Sequence, residues 1–141
     1  TSAAAIGVAS HEAGHAVQHA VGYFPIKVRM AIIPVCQVGS TLAWPLILLG
    51  IILSFPSLAM LGVAFFSLAT VFQLVTLPCE FNASARAMSA LRGDGRLNDR
   101  DLAAASKTLR AAALTYVAAL AVSLLNLLRI IAMVNGNNRR R

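Results

Sequence analysis

The dominant pattern in the chain is a long stretch with no charged position. From Met30 to Cys79 there is no Asp, Glu, Lys or Arg. As one straight helix it would rise about 75 Å at about 1.5 Å per residue. A bilayer's hydrocarbon core is only about 30 Å thick. One span is too few for this run and three would be cramped, so it predicts two helices joined by a tight turn. The turn belongs near Ser54-Phe55-Pro56-Ser57, with spans at about 35–54 and 57–77. Pro45 falls inside the first span and is a candidate kink. Trp44 suits either an interface or internal packing. A third charge-free segment, Ala111–Leu128, predicts a span over about 111–131, with Arg129 able to snorkel at its far end.

The segments between these runs are also helix-compatible. Residues 4–21, AAIGVASHEAGHAVQHAV, are small and apolar with no proline; Gly22 offers a stop, and Pro25 follows it. Residues 80–91, EFNASARAMSAL, read as a short helix leaving the membrane, with Pro78 placed for its first turn. RGDG at 92–95 is a polar turn. NDRDLAAASKTLR then starts a helix capped by Asn98 or Asp99, with Asp99 and Asp101 near its positive end. The tail NGNNRRR reads as polar, basic and frayed. The predicted fold is all-α: a multi-span helical membrane protein in one domain over 1–141, with a transmembrane hairpin.

Composition agrees with the pattern. Hydrophobic residues make up 58% and charged residues 12%, where a soluble domain carries about 25% charged. Mean hydropathy is +0.74. The net charge of +7 would otherwise suggest nucleic acid. In so apolar a chain it reads as loop charge beside membrane spans, and nucleic acid is set aside as a partner in favour of the lipid bilayer. Lys27, Arg29, Arg86, Arg92, Arg96, Arg100, Lys107 and Arg110 fall on one side of the predicted hairpin. Arg139, Arg140 and Arg141 fall on the other if the third segment crosses. The larger group predicts the cytoplasmic face of a multi-pass cell-membrane protein. Cys36 and Cys79 form no C-x-x-C pair and read as buried small hydrophobes. The chain opens on Thr1 without a basic, then apolar, leader, so a signal peptide is not expected there. An N-terminally truncated fragment is the expectation.

Candidate chemistry sits at residues 11–15, HEAGH. On a helix, positions i and i+4 share a face about 6 Å apart along the axis. His11 and His15 can therefore close on one zinc ion, whose Zn–N distances are about 2.0–2.1 Å. Glu12 then lies beside the metal's water and can act as general base, later passing the proton to a leaving amine. Val8, Ala9, Ala13, Gly14, Ala16 and Val17 around the motif are uncharged, the expected flanks of a buried active-site helix. The competing reading is a polar cluster on a membrane-proximal helix. Two His and a Glu in a chain this poor in charge are costly to bury without a partner, which favours metal.

A third ligand should be His, Asp or Glu. His19 is about 12 Å along the axis from His11, too far on a straight helix. It reads as a helix-face residue near the site. Asp94, Asp99 and Asp101 belong to a solvated turn and a helix start. Glu80 is the first charge after the long apolar run, and the hairpin returns it to the side of the HEAGH helix. It is the candidate ligand, against the alternative of an interfacial Glu paired with Arg86. Arg86 could instead stabilise an oxyanion or be a solvated surface residue. Asn82 and Ser84 are weaker candidates.

HEAGHAVQHA near the start, PCEFNASARA after the hairpin and AAALTYVAAL in the last segment together resemble the bacterial integral-membrane family of neutral zinc metallopeptidases. The resemblance runs through nearly the whole chain. It implies a gluzincin-like site: Zn2+ on His11, His15 and Glu80, Glu12 as catalytic base, and peptide-bond hydrolysis of a polypeptide substrate. Membrane gluzincins often place an aspartate four residues after the ligand glutamate. Here that position is Ser84, so Ser84 or another group must orient a histidine. The alternatives are a non-catalytic zinc-binding membrane protein and a transporter component, in which the same residues form an ion pathway.

Overall fold

The computed structural model describes residues 2–140. Thr1 and Arg141, the latter counted above with the basic tail, lie outside the described residues. The described chain is four α-helices: α1 (Ala3–Ala20), α2 (Phe24–Ile52), α3 (Pro56–Asp94) and α4 (Asp99–Arg139). It has no strand among the described residues, and α2, α3 and α4 are each long and apolar enough to cross a membrane. The all-α, multi-span membrane fold expected from the charge pattern is the one observed.

Local chemistry sets the helix ends. The Ser2 hydroxyl accepts from the Ala5 amide at 3.2 Å and caps α1. At the other end Gly22 adopts φ 67°, a left-handed conformation that favours glycine. This lets Tyr23 N–H donate to Gln18 O at 2.9 Å and Gly22 N–H to His19 O at 3.2 Å. Asn98, rather than Asp99, caps α4: its Oδ1 accepts from the Asp101 amide at 2.9 Å. The α2–α3 turn centres on Ser54, a non-glycine residue at φ 56°. There Phe55 N–H donates to Gly50 O at 2.8 Å, satisfying a carbonyl at the end of α2.

Three expectations are corrected. Residues 80–91 are not a separate helix; they continue α3, and Pro78 lies in its interior. The turn expected at 92–95 does not begin at Arg92 either, because α3 runs on to Asp94. Proline removes one N–H from the ladder, a loss that long membrane helices absorb. At 39 residues α3 rises about 58 Å, well beyond a hydrocarbon core of about 30 Å. The charge-bearing stretch from Glu80 onward is the natural surplus. Of the basic tail, residues 135–139 are helical rather than frayed: α4 runs to Arg139, whose cation suits the negative end of the helix dipole.

The chain packs as two units. One comprises the residues up to Val28 with Val75–Ala118; the other comprises Arg29–Leu74 with the residues from Ala119 on. The second unit is apolar. Ile47, Ala59, Val63, Ile130 and Val134 form its core. Leu48, Leu49, Ile52, Leu125 and Leu128 point outward, as lipid-facing side chains do. Lipid gives no hydrophobic drive between helices, so close packing through small residues must hold them. Gly50 abuts the backbone of Ala59, and a Cβ at Gly62 would meet the Ala43 carbonyl at 2.8 Å. Thr70 and Ser123 satisfy each other at 2.8 Å inside this unit.

The first unit packs differently. Cys79, Ala83, Ala87 and Leu91 form an i, i+4 stripe on α3, and Ala105 and Leu109 one on α4. The face that α1 turns inward is Gly7, His11, Gly14 and Gln18, spaced 4-3-4. It is small and polar rather than apolar.

Candidate metal centre

The inward face of α1 brings its chemistry against α3. Gly7 faces Ala105, and Gly14 faces Ala83 so closely that an added Cβ would lie 2.5 Å from the Ala83 carbonyl oxygen and 3.2 Å from its Cα. This close approach lets the imidazoles of α1 reach side chains rooted on α3. We expect Gly14→Ala to destabilise the protein by about 1–3 kcal/mol, because rigid backbone must move. Ala13→Val, at the exposed neighbouring position, should change stability by less than about 0.5 kcal/mol. Thermal unfolding in detergent compares the two; equal melting temperatures would show that the contact is unimportant.

His11 Nε2 lies 2.9 Å from Glu80 Oε2, and His15 Nε2 lies 3.4 Å from the same oxygen. One ligand-capable atom from each of the three residues falls within 4.8 Å of the others. The two rings stand edge to face with centroids 4.7 Å apart. Glu80 is only 2% exposed. A buried carboxylate facing two imidazole nitrogens calls for a cation. Two His and one Glu are also a donor set of catalytic zinc sites. Ligand atoms around a tetrahedral zinc stand about 3.3 Å apart, given bonds of about 2.0–2.1 Å. The observed 2.9 and 3.4 Å bracket that value. The three residues therefore fit a zinc ion.

The far side of each imidazole is also held. His11 Nδ1 lies 2.9 Å from Ser84 Oγ, so the serine at the fourth position after Glu80 does contact a histidine. His15 Nδ1 lies 2.8 Å from Gln18 Oε1. Gln18 is fully buried and continues to Cys79 O at 2.8 Å and Asn82 Oδ1 at 3.1 Å. Sequence reading passed over Gln18. Its signal was its position, four residues beyond Gly14 and seven beyond His11 on one helical face.

Other candidates are placed elsewhere. Glu12 is exposed, one residue beyond His11 and so about 100° around the helix. His19 is exposed as well. Arg86 donates through Nε to Asn82 Oδ1 at 2.8 Å and stands over the Tyr23 ring at 5.8 Å from its centroid. Asp94 pairs with Arg96 at 3.3 Å. The flanks of the motif were expected to be buried, but Val8, Ala9, Ala13, Ala16 and Val17 are exposed. Only Gly7, Gly14 and Gln18 of α1 are buried. A helix supported through small and polar residues leaves its apolar side free for other surroundings.

The comparisons with known proteins bear on this arrangement. Residues 1–135 match the family described as "Putative neutral zinc metallopeptidase". The chain is 46% identical over 138 residues to "Putative membrane protease YugP" of Bacillus subtilis (strain 168), covering 97% of this chain and 61% of that relative. It thus spans about three-fifths of the length of the curated relative it matches. No solved structure matches it. Because the match takes in the HEAGH helix, the segment around Glu80 and most of α4 together, the chain belongs to the family of putative neutral zinc metallopeptidases.

Proposed function

We propose that residues 1–141 act as one membrane metallopeptidase domain, a zinc-dependent endopeptidase whose metal is held by His11, His15 and Glu80. The observation that carries this reading is the convergence of two helix imidazoles and a buried carboxylate from a distant helix. Bound there, zinc would supply Lewis-acid activation of water and of the scissile carbonyl. Glu12 is the general base: it takes a proton from the attacking water and delivers it to the leaving amine. Its exposure keeps it open to substrate and water. Ser84 and Gln18 hold the two imidazoles from behind.

A structural zinc site usually has four protein ligands, whereas among the described residues this group offers three. The fourth position is left for water or substrate, which favours catalysis over a purely structural metal. The substrates proposed are polypeptides reaching the membrane surface, in keeping with the relative named a membrane protease. The proposed side is the cytoplasmic one, a reading supported by Lys27, Arg29 and the basic residues from Arg86 to Arg110.

Metal removal tests the reading directly. Purified protein should carry one zinc and cleave an unstructured polypeptide such as casein. A chelator should abolish cleavage, and added zinc should restore it. Protein that holds no zinc, or cleavage that survives complete stripping, would rule the proposal out.

A further inference from the structure

Gln18 belongs to a chain of hydrogen bonds whose polarity is set from its fixed ends. The Arg86 guanidinium can only donate. Its Nε donates to Asn82 Oδ1 at 2.8 Å, which makes that oxygen an acceptor. The Tyr23 ring beneath Arg86 helps to hold it there. Gln18 Nε2 donates to the same Asn82 oxygen at 3.1 Å and to the Cys79 carbonyl at 2.8 Å, a group that can only accept. Both amide protons are thus committed. Flipping the amide would set oxygen against oxygen at two buried contacts. Gln18 Oε1 must therefore face His15 Nδ1, 2.8 Å away, and it can only accept. The proton between them belongs to His15. With Nδ1 protonated, the neutral ring carries its lone pair on Nε2, the nitrogen that faces Glu80. His11 is not governed in this way, because the Ser84 hydroxyl can donate or accept.

We propose that Arg86, Asn82 and Gln18 are positioning residues that lock His15 in its Nδ1–H tautomer and so present Nε2 as an electron-pair donor to the cation it shares with His11 and Glu80. The role toward metal rests on the reading under Proposed function. The proton on Nδ1 is set by the chain's own hydrogen bonds with or without zinc, so the two can fail separately. A histidine already in the ligating tautomer needs no proton exchange before it binds. Tyr23 closes the arrangement: its ring lies under Arg86 while its amide donates to the Gln18 carbonyl at 2.9 Å. The turn that ends α1 and the relay that orients His15 are one local structure.

The test uses the full chain, labelled with 15N, in detergent micelles. Long-range 1H–15N correlations of the rings report the tautomer, and competition with a chelating dye reports zinc affinity. Wild type should show His15 carrying its proton on Nδ1 before zinc, and the Nδ1–H form with Nε2 unprotonated after it. Gln18→Met should give a mixture of tautomers and bind zinc about 10–100-fold more weakly. Asn82→Leu should loosen the lock in the same direction, whereas Asn82→Asp, which keeps the acceptor for both Gln18 and Arg86, should retain it. Should Gln18→Met fail to fold, Asn82→Leu and Arg86→Met read the same signature from residues that do not touch the three candidate ligands. An Nε2–H form of His15 in wild type, or an unmixed Nδ1–H signal with unchanged zinc affinity in these variants, would overturn the proposal. Wild type that takes up no zinc would instead reject the metallopeptidase reading, and the tautomer signal alone would then decide the lock.

Discussion

Glu80→Gln should lose zinc, and with it all peptide cleavage. Glu80 is the one carboxylate among the three converging residues, and it comes from a helix other than the one that carries the histidines. A neutral amide there removes the negative charge that offsets the metal's double positive charge. The loss of affinity should exceed the roughly 10–100-fold typical of changes behind the ligands. Stability should follow metal in a sign-dependent way. Zinc at about 100 times its Kd stabilises a folded protein by about 2.7 kcal/mol. Wild type should therefore gain melting temperature on zinc addition, and the variant should not. After chelation the order should narrow, because a buried carboxylate costs more to desolvate than a buried amide. A variant that keeps its zinc and its zinc-dependent rise in melting temperature would remove Glu80 from the ligand set.

Glu12→Gln should separate binding from chemistry. The residue is exposed and is not among the converging three, so zinc content and the metal-dependent melting shift should stay at wild-type values. Cleavage should fall by about 10²–10⁴-fold, the usual contribution of a positioned general base. Zinc content per chain and initial rates on the same preparation decide the point. Equal rates would exclude Glu12 as the base. Loss of zinc along with activity would assign it a role in holding the metal instead.

The backbone plan was readable because it depends on one-dimensional properties. Fifty consecutive residues without a charge are too many for one bilayer-length helix and call for two helices and a turn, and Pro56 with its neighbours marks where the turn falls. Gly22 and Asn98 could be read as helix signals because stop and cap chemistry is local. Pro78 misled for the same reason. A proline signals a helix start only on average, and nothing in its neighbours shows that α3 carries through it. The motif flanks misled because small and apolar residues were equated with burial. In α1 the buried face is glycine and polar side chains, while Val8 and Val17 are exposed.

The HEAGH spacing fixed in advance that His11 and His15 share a helical face, since a 3.6-residue period leaves them no choice. Elimination among few acids singled out Glu80, for a chain with five Asp and Glu residues has little else to offer. What no linear reading could supply is the distance between α1 and α3, because that depends on Gly14 meeting the Ala83 backbone. Nor could it supply the partners behind each imidazole. Ser84 and Gln18 reach His11 and His15 only once two helices cross at that spacing, and hydrogen bonds are sensitive to tenths of an ångström. Periodicity and charge count act along the chain and survive without a fold; orientation of a lone pair is made by contacts between residues some sixty to seventy positions apart.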